Sequence, residues 1–392
     1  MRRLASKEPR NSDILFELSF DYALMGDIQF ADHSSDSNLH SVAVESYTKA
    51  IAVSAAMLKM NPDNEKLQAA YEQDLTEIGR ILEERRDLSG ALEKYQAALT
   101  LAQSISKRNP TTRNVRMVAV AYNRIAGVYD SLNNKQLSLE NNQNALAIYQ
   151  QLIAADPQNR LLQQGLAIAY ANVSTQASVA GKNSRSLDAM EKSLQLMKDV
   201  VAASSQNVQQ KIILAAVYEA RGSNYLRWGE FEPAQKEYEE CFTIHEKLNS
   251  SPGKNGSTPS EVDCKAKIGI AAMRARDAKK AAAAFQQALN LAQPLLTAHE
   301  PDSAALFAAA DSYAALGEIE IQQAMSRSPS NITAEHWKKA QSWYVRSLDV
   351  WEKIPPVRRP RPVTSVVAAD FETVTKNLHR CETSLPVNLP QH

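Results

Sequence analysis

Seven histidines, three cysteines and 44 aspartates and glutamates are the side chains of this 392-residue chain that could bind a metal, attack a substrate or move a proton. Their arrangement offers little such chemistry. G-x-G-x-x-G, H-E-x-x-H and G-x-S-x-G are absent, as are the V-A-I-K, H-R-D and D-F-G elements of a phosphotransferase. The phrase "GKNGST" has the wrong order for a phosphate loop. The histidines are scattered, and none pairs with Cys or Asp at a ligand spacing. His33 and His40, in "HSSDSNLH", read as a solvated loop ahead of a metal pair. Cys241, Cys264 and Cys381 are far apart and form no C-x-x-C, which predicts no disulfide framework and no zinc site. Neither cofactor nor metal is expected, and the chain is not expected to be an enzyme.

Charge excludes further classes. Lys+Arg and Asp+Glu balance at 44 each, so no net field favours nucleic acid or an anionic membrane. No run approaches the 18 apolar residues of a membrane span. The start, "MRRLASKEPRNSD", has no apolar core and is not a signal peptide. The cytoplasm is the expected compartment, with the periplasm the alternative if a membrane segment precedes this sequence.

The elements that would position any site are helices. Glycine is scarce at 12 residues, and Ala, Leu, Gln, Glu and Lys dominate. A small-x3-aromatic-x2-small pattern recurs as Ala43/Tyr47/Ala50, Ala91/Tyr95/Ala98, Ser138/Asn142/Ala145, Ser186/Met190/Ser193, Ala234/Tyr238/Cys241, Ala281/Phe285/Ala288 and Ala340/Tyr344/Ser347. Its first positions, 43, 91, 138, 186, 234, 281 and 340, lie 48, 47, 48, 48, 47 and 59 apart. A second small position precedes each: Gly26, Gly79, Ala126, Ser174, Gly222, Gly269 and Gly317. Small residues at crossings let helices approach, and aromatics fill the space beside them. Cys241 falls on such a position and reads as a buried, inert thiol. The joins "NPDN", "NPTT", "DPQN" and "EPDS" stop one helix and offer Asn, Asp or Thr to start the next.

This pattern resembles the tetratricopeptide repeat over roughly residues 11–354. The family's ordinary repeat has about 34 residues. Here each helix has gained seven, about two turns, which lengthens it to about 20 residues without rotating its apolar face. "DYALMGDIQ", "AYNRIAGVY" and "DPQN" look like a bacterial long-helix subtype found in the C-terminal arrays of serine/threonine kinases. The expected fold is therefore all-α: a right-handed α-solenoid of about seven lengthened hairpins plus a C-terminal capping helix. The hairpins are expected over 11–61, 62–109, 110–156, 157–205, 206–251, 252–300 and 301–354. A Pro/Arg linker follows at 355–363, then a capping helix at 364–386 carrying Val367, Phe371, Val374, Leu378, Cys381 and Leu385, and a tail at 387–392. "RRLASKEPRN" reads like the end of a preceding repeat, so the chain is expected to have begun mid-array. "ADHSSDSN" and "AMSRSPSNITAE" are expected as exposed loops. "NSSPGKNGSTPS" should melt the start of the first helix of hairpin six, leaving about Glu261–Arg276 and a hinge.

The resemblance places ligands on the concave face lined by the first helices. Transferred by register, it implies Thr76, Arg80, Glu83, Asn123, Asp130, Thr175, Ser178, Glu219, Ser223, Leu226, Ile270 and Met273. Asn123 would pair with a peptide backbone and Arg80 with a carboxylate. The implied function is a non-catalytic scaffold that binds a protein or peptide segment, as the sensing or docking part of a bacterial signalling protein. The alternatives are a structural arm that self-associates through its repeat ends, and a small-molecule sensor closing at residues 249–260.

Overall fold

The computed structural model describes residues 11–31, 37–250, 257–298, 301–326, 331–354, 356, 359 and 370–385, and among them every regular element but a single 3-10 residue is α-helical. The chain folds as two compact units, Met1–Ala177 and Ser178–His392. The first contains α1 (Ser12–Ala31), α2 (Ser37–Met60), α3 (Glu65–Glu84), α4 (Leu88–Arg108), α5 (Thr112–Ser131), α6 (Lys135–Ala155) and most of α7 (Arg160–Val179). The second contains α8 (Asn183–Ala203), α9 (Val208–Trp228), α10 (Phe231–Asn249), α11 (Pro259–Arg274), α12 (Ala278–Leu296), α13 (Ser303–Met325), α14 (Asn331–Glu352) and α15 (Phe371–Ser384). Consecutive helices from α1 to α6, and from α8 to α15, pack on one another.

The joins start helices as their composition requires. Asn64, Thr111, Asn159 and Asp302 each accept a backbone N–H of the following first turn. Thr258 and Glu261 close a reciprocal capping box that begins α11 at Pro259. The Gly- and Ser-rich run before it leaves α11 with 16 residues against 20 in α3 and α5. Residues 251–256 of that run lie outside the described residues, as do 32–36 and 327–330 of the two other expected loops.

The described turns between paired helices have three residues, or two between α9 and α10, and share one conformation. Arg86, Asn133, Gly181, Gly229 and Arg276 have φ of 63°, 57°, 71°, 80° and 64°. This left-handed residue lets the next N–H reach back to the last helical turn: Asp87 to Leu82 O, Asn134 to Tyr129 O, Glu230 to Tyr225 O and Asp277 to Ala272 O, at 2.8–3.0 Å. Asp87, Asn134 and Asp277 then cap the second helix with their side chains.

Helix crossings bring the small positions against the aromatics. A Cβ added at Gly79 would lie 2.6 Å from the Tyr95 ring, and one at Gly269 would lie 2.7 Å from the Phe285 ring. Both rings are fully buried. Only the absence of a side chain permits that approach.

The last helix differs from the expected 364–386. Asp370, in extended backbone, accepts the Thr373 N–H and starts α15 at Phe371; extended Leu385 ends it. Val367 lies outside the described residues. α15 still buries Val374 and Cys381 against α14, in a core that includes Trp351 and Ile354.

Candidate functional site

In the first unit the register-implied residues sit on the first helices α3, α5 and α7. Most are engaged within the fold. Thr76 Oγ1 donates to Glu72 Oε1 at 3.3 Å. Arg80 donates twice to Glu77 Oε2, at 2.9 and 2.6 Å, and stacks 4.0 Å from the centroid of the Phe30 ring. That guanidinium is held by a carboxylate of its own helix and by the ring face. Glu83 accepts the Tyr95 hydroxyl at 3.0 Å, and its Oε1 lies 3.7 Å from the place of a Cβ on Gly127. Asp130 Oδ1 accepts Gln176 Nε2 at 3.0 Å, next to half-buried Thr175. Residues roughly one repeat apart therefore approach each other across neighbouring first helices. Asn123 is the exception: its Oδ1 is buried and has no hydrogen-bond partner among the described residues.

Two carboxyls on the same helix are strongly perturbed. Burial pushes Glu72 up from 4.5 to about 7, against the Thr76 hydrogen bond and Arg116. Burial also raises Asp74 from 3.8 to about 7, helped by Asp27 and Glu77. Folding raises both values, so the folded state binds more protons than the unfolded chain between about pH 4 and 7. The contribution of these two groups to the stability of the first unit should therefore be greatest below about pH 4, fall by a few kcal/mol as pH rises from there to 7, and level off near pH 8. Urea unfolding at pH 5.5 and 8.0 measures it; Glu72→Gln with Asp74→Asn should remove most of the difference.

In the second unit, Glu219 accepts Lys267 Nζ at 2.5 Å, and Asp263 accepts the same amine at 2.6 Å. Lys267 is only 12 % exposed, and the two carboxylates together hold its pKa above the ordinary lysine range despite the burial that opposes them. Ser223 Oγ lies 3.1 Å from the Tyr238 hydroxyl. Ser178 is buried, and its Oγ has no partner among the described residues. Leu226 and Met273 pack against the core. Ile270 is 1 % exposed inside that core and presents no surface to a ligand, a correction to its assignment to the groove. An isoleucine on a helix flanked on both sides is drawn inward wherever neighbouring helices close over it. An open cavity of about 390 Å³ lies beside Met273, lined also by Arg274, Arg276, Ala278, Ile319 and Gln322.

Lys267 was missed by the register argument, although it lies 48 residues after Glu219, one repeat on. Cys241 and Cys264 form a disulfide, with Cα atoms 6.2 Å apart, where no disulfide was expected. Twenty-three residues separate them in sequence, and only the packing of α10 on α11 brings them together. His245, one turn from Cys241, completes a group whose ligand atoms all lie within 4.8 Å of one another. In the sequence this group leaves only a Cys–x3–His spacing. Burial pushes the His245 imidazole below its ordinary value, while Glu261, Glu219 and Asp263 oppose the shift. Cys381 alone is a free buried thiol, pushed up to about 11.

Comparison with known proteins adds two family matches. The tetratricopeptide-repeat family model matches residues 215–247, which span α9 and α10. A family described as "Uncharacterized protein conserved in bacteria (DUF2225)" matches residues 35–225. No curated protein sequence matches the chain. Among solved structures, BtubC (BKLC) from P. vanneervenii is 18 % identical, with 66 % of this chain and 93 % of that one covered and a TM-score of 0.49. A tetratricopeptide repeat protein from Parabacteroides merdae is 13 % identical over 94 % of this chain and 98 % of that one, with a TM-score of 0.43. The Rap protein solved in complex with Competence and Sporulation Factor is 11 % identical over 95 % and 97 %, with a TM-score of 0.47. Likeness at this level says nothing about what the chain binds. No helix among the described residues is long and apolar enough to cross a membrane.

Proposed function

For a chain built of tetratricopeptide-type helical repeats, we propose a non-catalytic scaffold that binds an extended protein or peptide segment along its first helices. The reading includes a docking or sensing role in a bacterial signalling protein. One observation carries it. The first helices of the first unit present short polar side chains in register, and Asn123 offers a buried carbonyl oxygen with no internal donor. An unpaired buried acceptor costs about 1–3 kcal/mol, a deficit that a peptide N–H removes once the Asn123 side chain turns outward to meet it. Thr76 and Glu83 on α3, Asp130 on α5 and Thr175 on α7 complete the proposed set in this unit. In the second unit Glu219, Ser223 and Met273 would take the same role. Arg274 and Arg276 beside the cavity near Met273 favour an acidic segment there.

A specific observation favours a second reading, self-association. Phe16, Phe20, Leu24 and Ile28 form an i, i+4 stripe on α1, and Phe20 and Ile28 are 58 % and 64 % exposed. One experiment separates the two. Wild type, the groove variant Asn123→Leu/Thr175→Leu and the stripe variant Phe20→Glu are first shown to be folded by circular dichroism. Each is then run in sedimentation and in cross-linking capture from host lysate with a peptide-level readout. A segment captured by wild type and Phe20→Glu but lost with Asn123→Leu/Thr175→Leu supports the groove. Equal capture by all three, or none, overturns it. Oligomers dispersed by Phe20→Glu alone select the self-associating arm.

A further inference from the structure

We propose that Cys241, Cys264 and His245 form a zinc site in the reduced protein, and that the disulfide is the metal-free, oxidised state of the same three groups. Two sulfurs and one imidazole nitrogen are the donor set of a tetrahedral zinc site that keeps one position for water. Their placement suits it. Cys241 and His245 stand one turn apart on α10 and therefore share a face, and Cys264 comes from α11 packed against it. The three ligand atoms already lie within 4.8 Å of one another. Tetrahedral ligands at Zn–S of about 2.3 Å and Zn–N of about 2.0–2.1 Å stand about 3.6–3.8 Å apart. Once the disulfide opens, rotation of two cysteine side chains supplies that spacing.

Charge and chemistry close. Both sulfurs are buried, and two thiolates cancel the charge of one Zn²⁺, so the site takes no net charge into the core. A disulfide leaves His245 without a task. Its ring makes no hydrogen bond among the described residues, and a metal accounts for a histidine at that place. In the first step an external dithiol gives two electrons: its thiolate attacks one sulfur, the Cys241–Cys264 bond breaks, and the dithiol leaves as its own disulfide. Zn²⁺ then replaces the two thiol protons, which go to solvent, and binds one imidazole nitrogen. Either state ties α10 to α11 across the Gly/Ser-rich join, and compartment redox poise selects between them.

The test uses the full chain, reduced with a dithiol and freed of reductant and metal without oxygen. Co²⁺ is the probe and Zn²⁺ the competitor. One equivalent of Co²⁺ should give thiolate-to-metal charge-transfer absorption that Zn²⁺ abolishes. Cys381→Ser should behave as wild type, Cys241→Ser and Cys264→Ser should lose the band, and the oxidised chain should never show it. His245→Gln, which keeps both cysteines and the ability to form the disulfide, should bind Co²⁺ at least about tenfold more weakly. No band in reduced wild type would overturn the site. So would a band that persists in both serine variants, or an unchanged affinity in His245→Gln.

Discussion

Phe285→Ala is expected to lower the unfolding free energy of the second unit by about 3–5 kcal/mol. The ring is fully buried in a core shared by α11, α12, α13 and α14. It fills the space that Gly269 leaves open, with ring atoms 2.7 Å from the place of a missing Cβ. Truncation removes the apolar contact and leaves a cavity that helices of this length cannot collapse to fill. The reciprocal change is informative. Gly269→Ala in the wild-type background drives a methyl into the ring and should cost about 1–3 kcal/mol. In the Phe285→Ala background the same methyl enters the cavity and gains about 1 kcal/mol of helix propensity over glycine. Guanidinium denaturation of the four proteins gives the cycle, and a coupling energy near zero would mean that the two helices do not meet at this crossing.

The second large effect lies in the Lys267 cluster. Glu219→Gln with Asp263→Asn removes both partners of an amine that is only 12 % exposed. The stranded charge should cost about 3–5 kcal/mol. Adding Lys267→Met to the same chain should restore most of the loss, because an apolar side chain of similar length has no charge to strand. Thermal unfolding of the wild type, double and triple variants decides it. If the triple variant is as unstable as the double, then Glu219 and Asp263 stabilise the helices by some route other than their pairing with Lys267. Glu219 is also one of the residues proposed for the binding face, so the triple variant is the background in which its role in recognition can be separated from its role in stability.

Much of the fold was legible because it rests on local rules. Pro-containing joins with Asn, Thr or Asp placed the helix starts, and Asn64, Thr111, Asn159 and Asp302 cap as their positions imply. The pairing of small and aromatic positions was equally visible, since one crossing repeated at a fixed period leaves the same trace each time. The left-handed turn residue was harder to see. It is glycine at 181 and 229, but arginine at 86 and 276, where the closing hydrogen bonds override the preference.

By itself the amino-acid sequence determined the helices, their lengths and the contacts made inside one hairpin, because those depend on residues within about one period of each other. Tertiary structure alone decided what each side chain on the first helices is free to do. The Arg80 guanidinium is occupied by Glu77 and Phe30. Ile270 is buried by its neighbours. Cys241 and His245 share a turn of α10, and only the packing of α11 brings Cys264 to them. Spacing along a chain reports which face a residue takes; only the packing of other helices on that face reports what it touches.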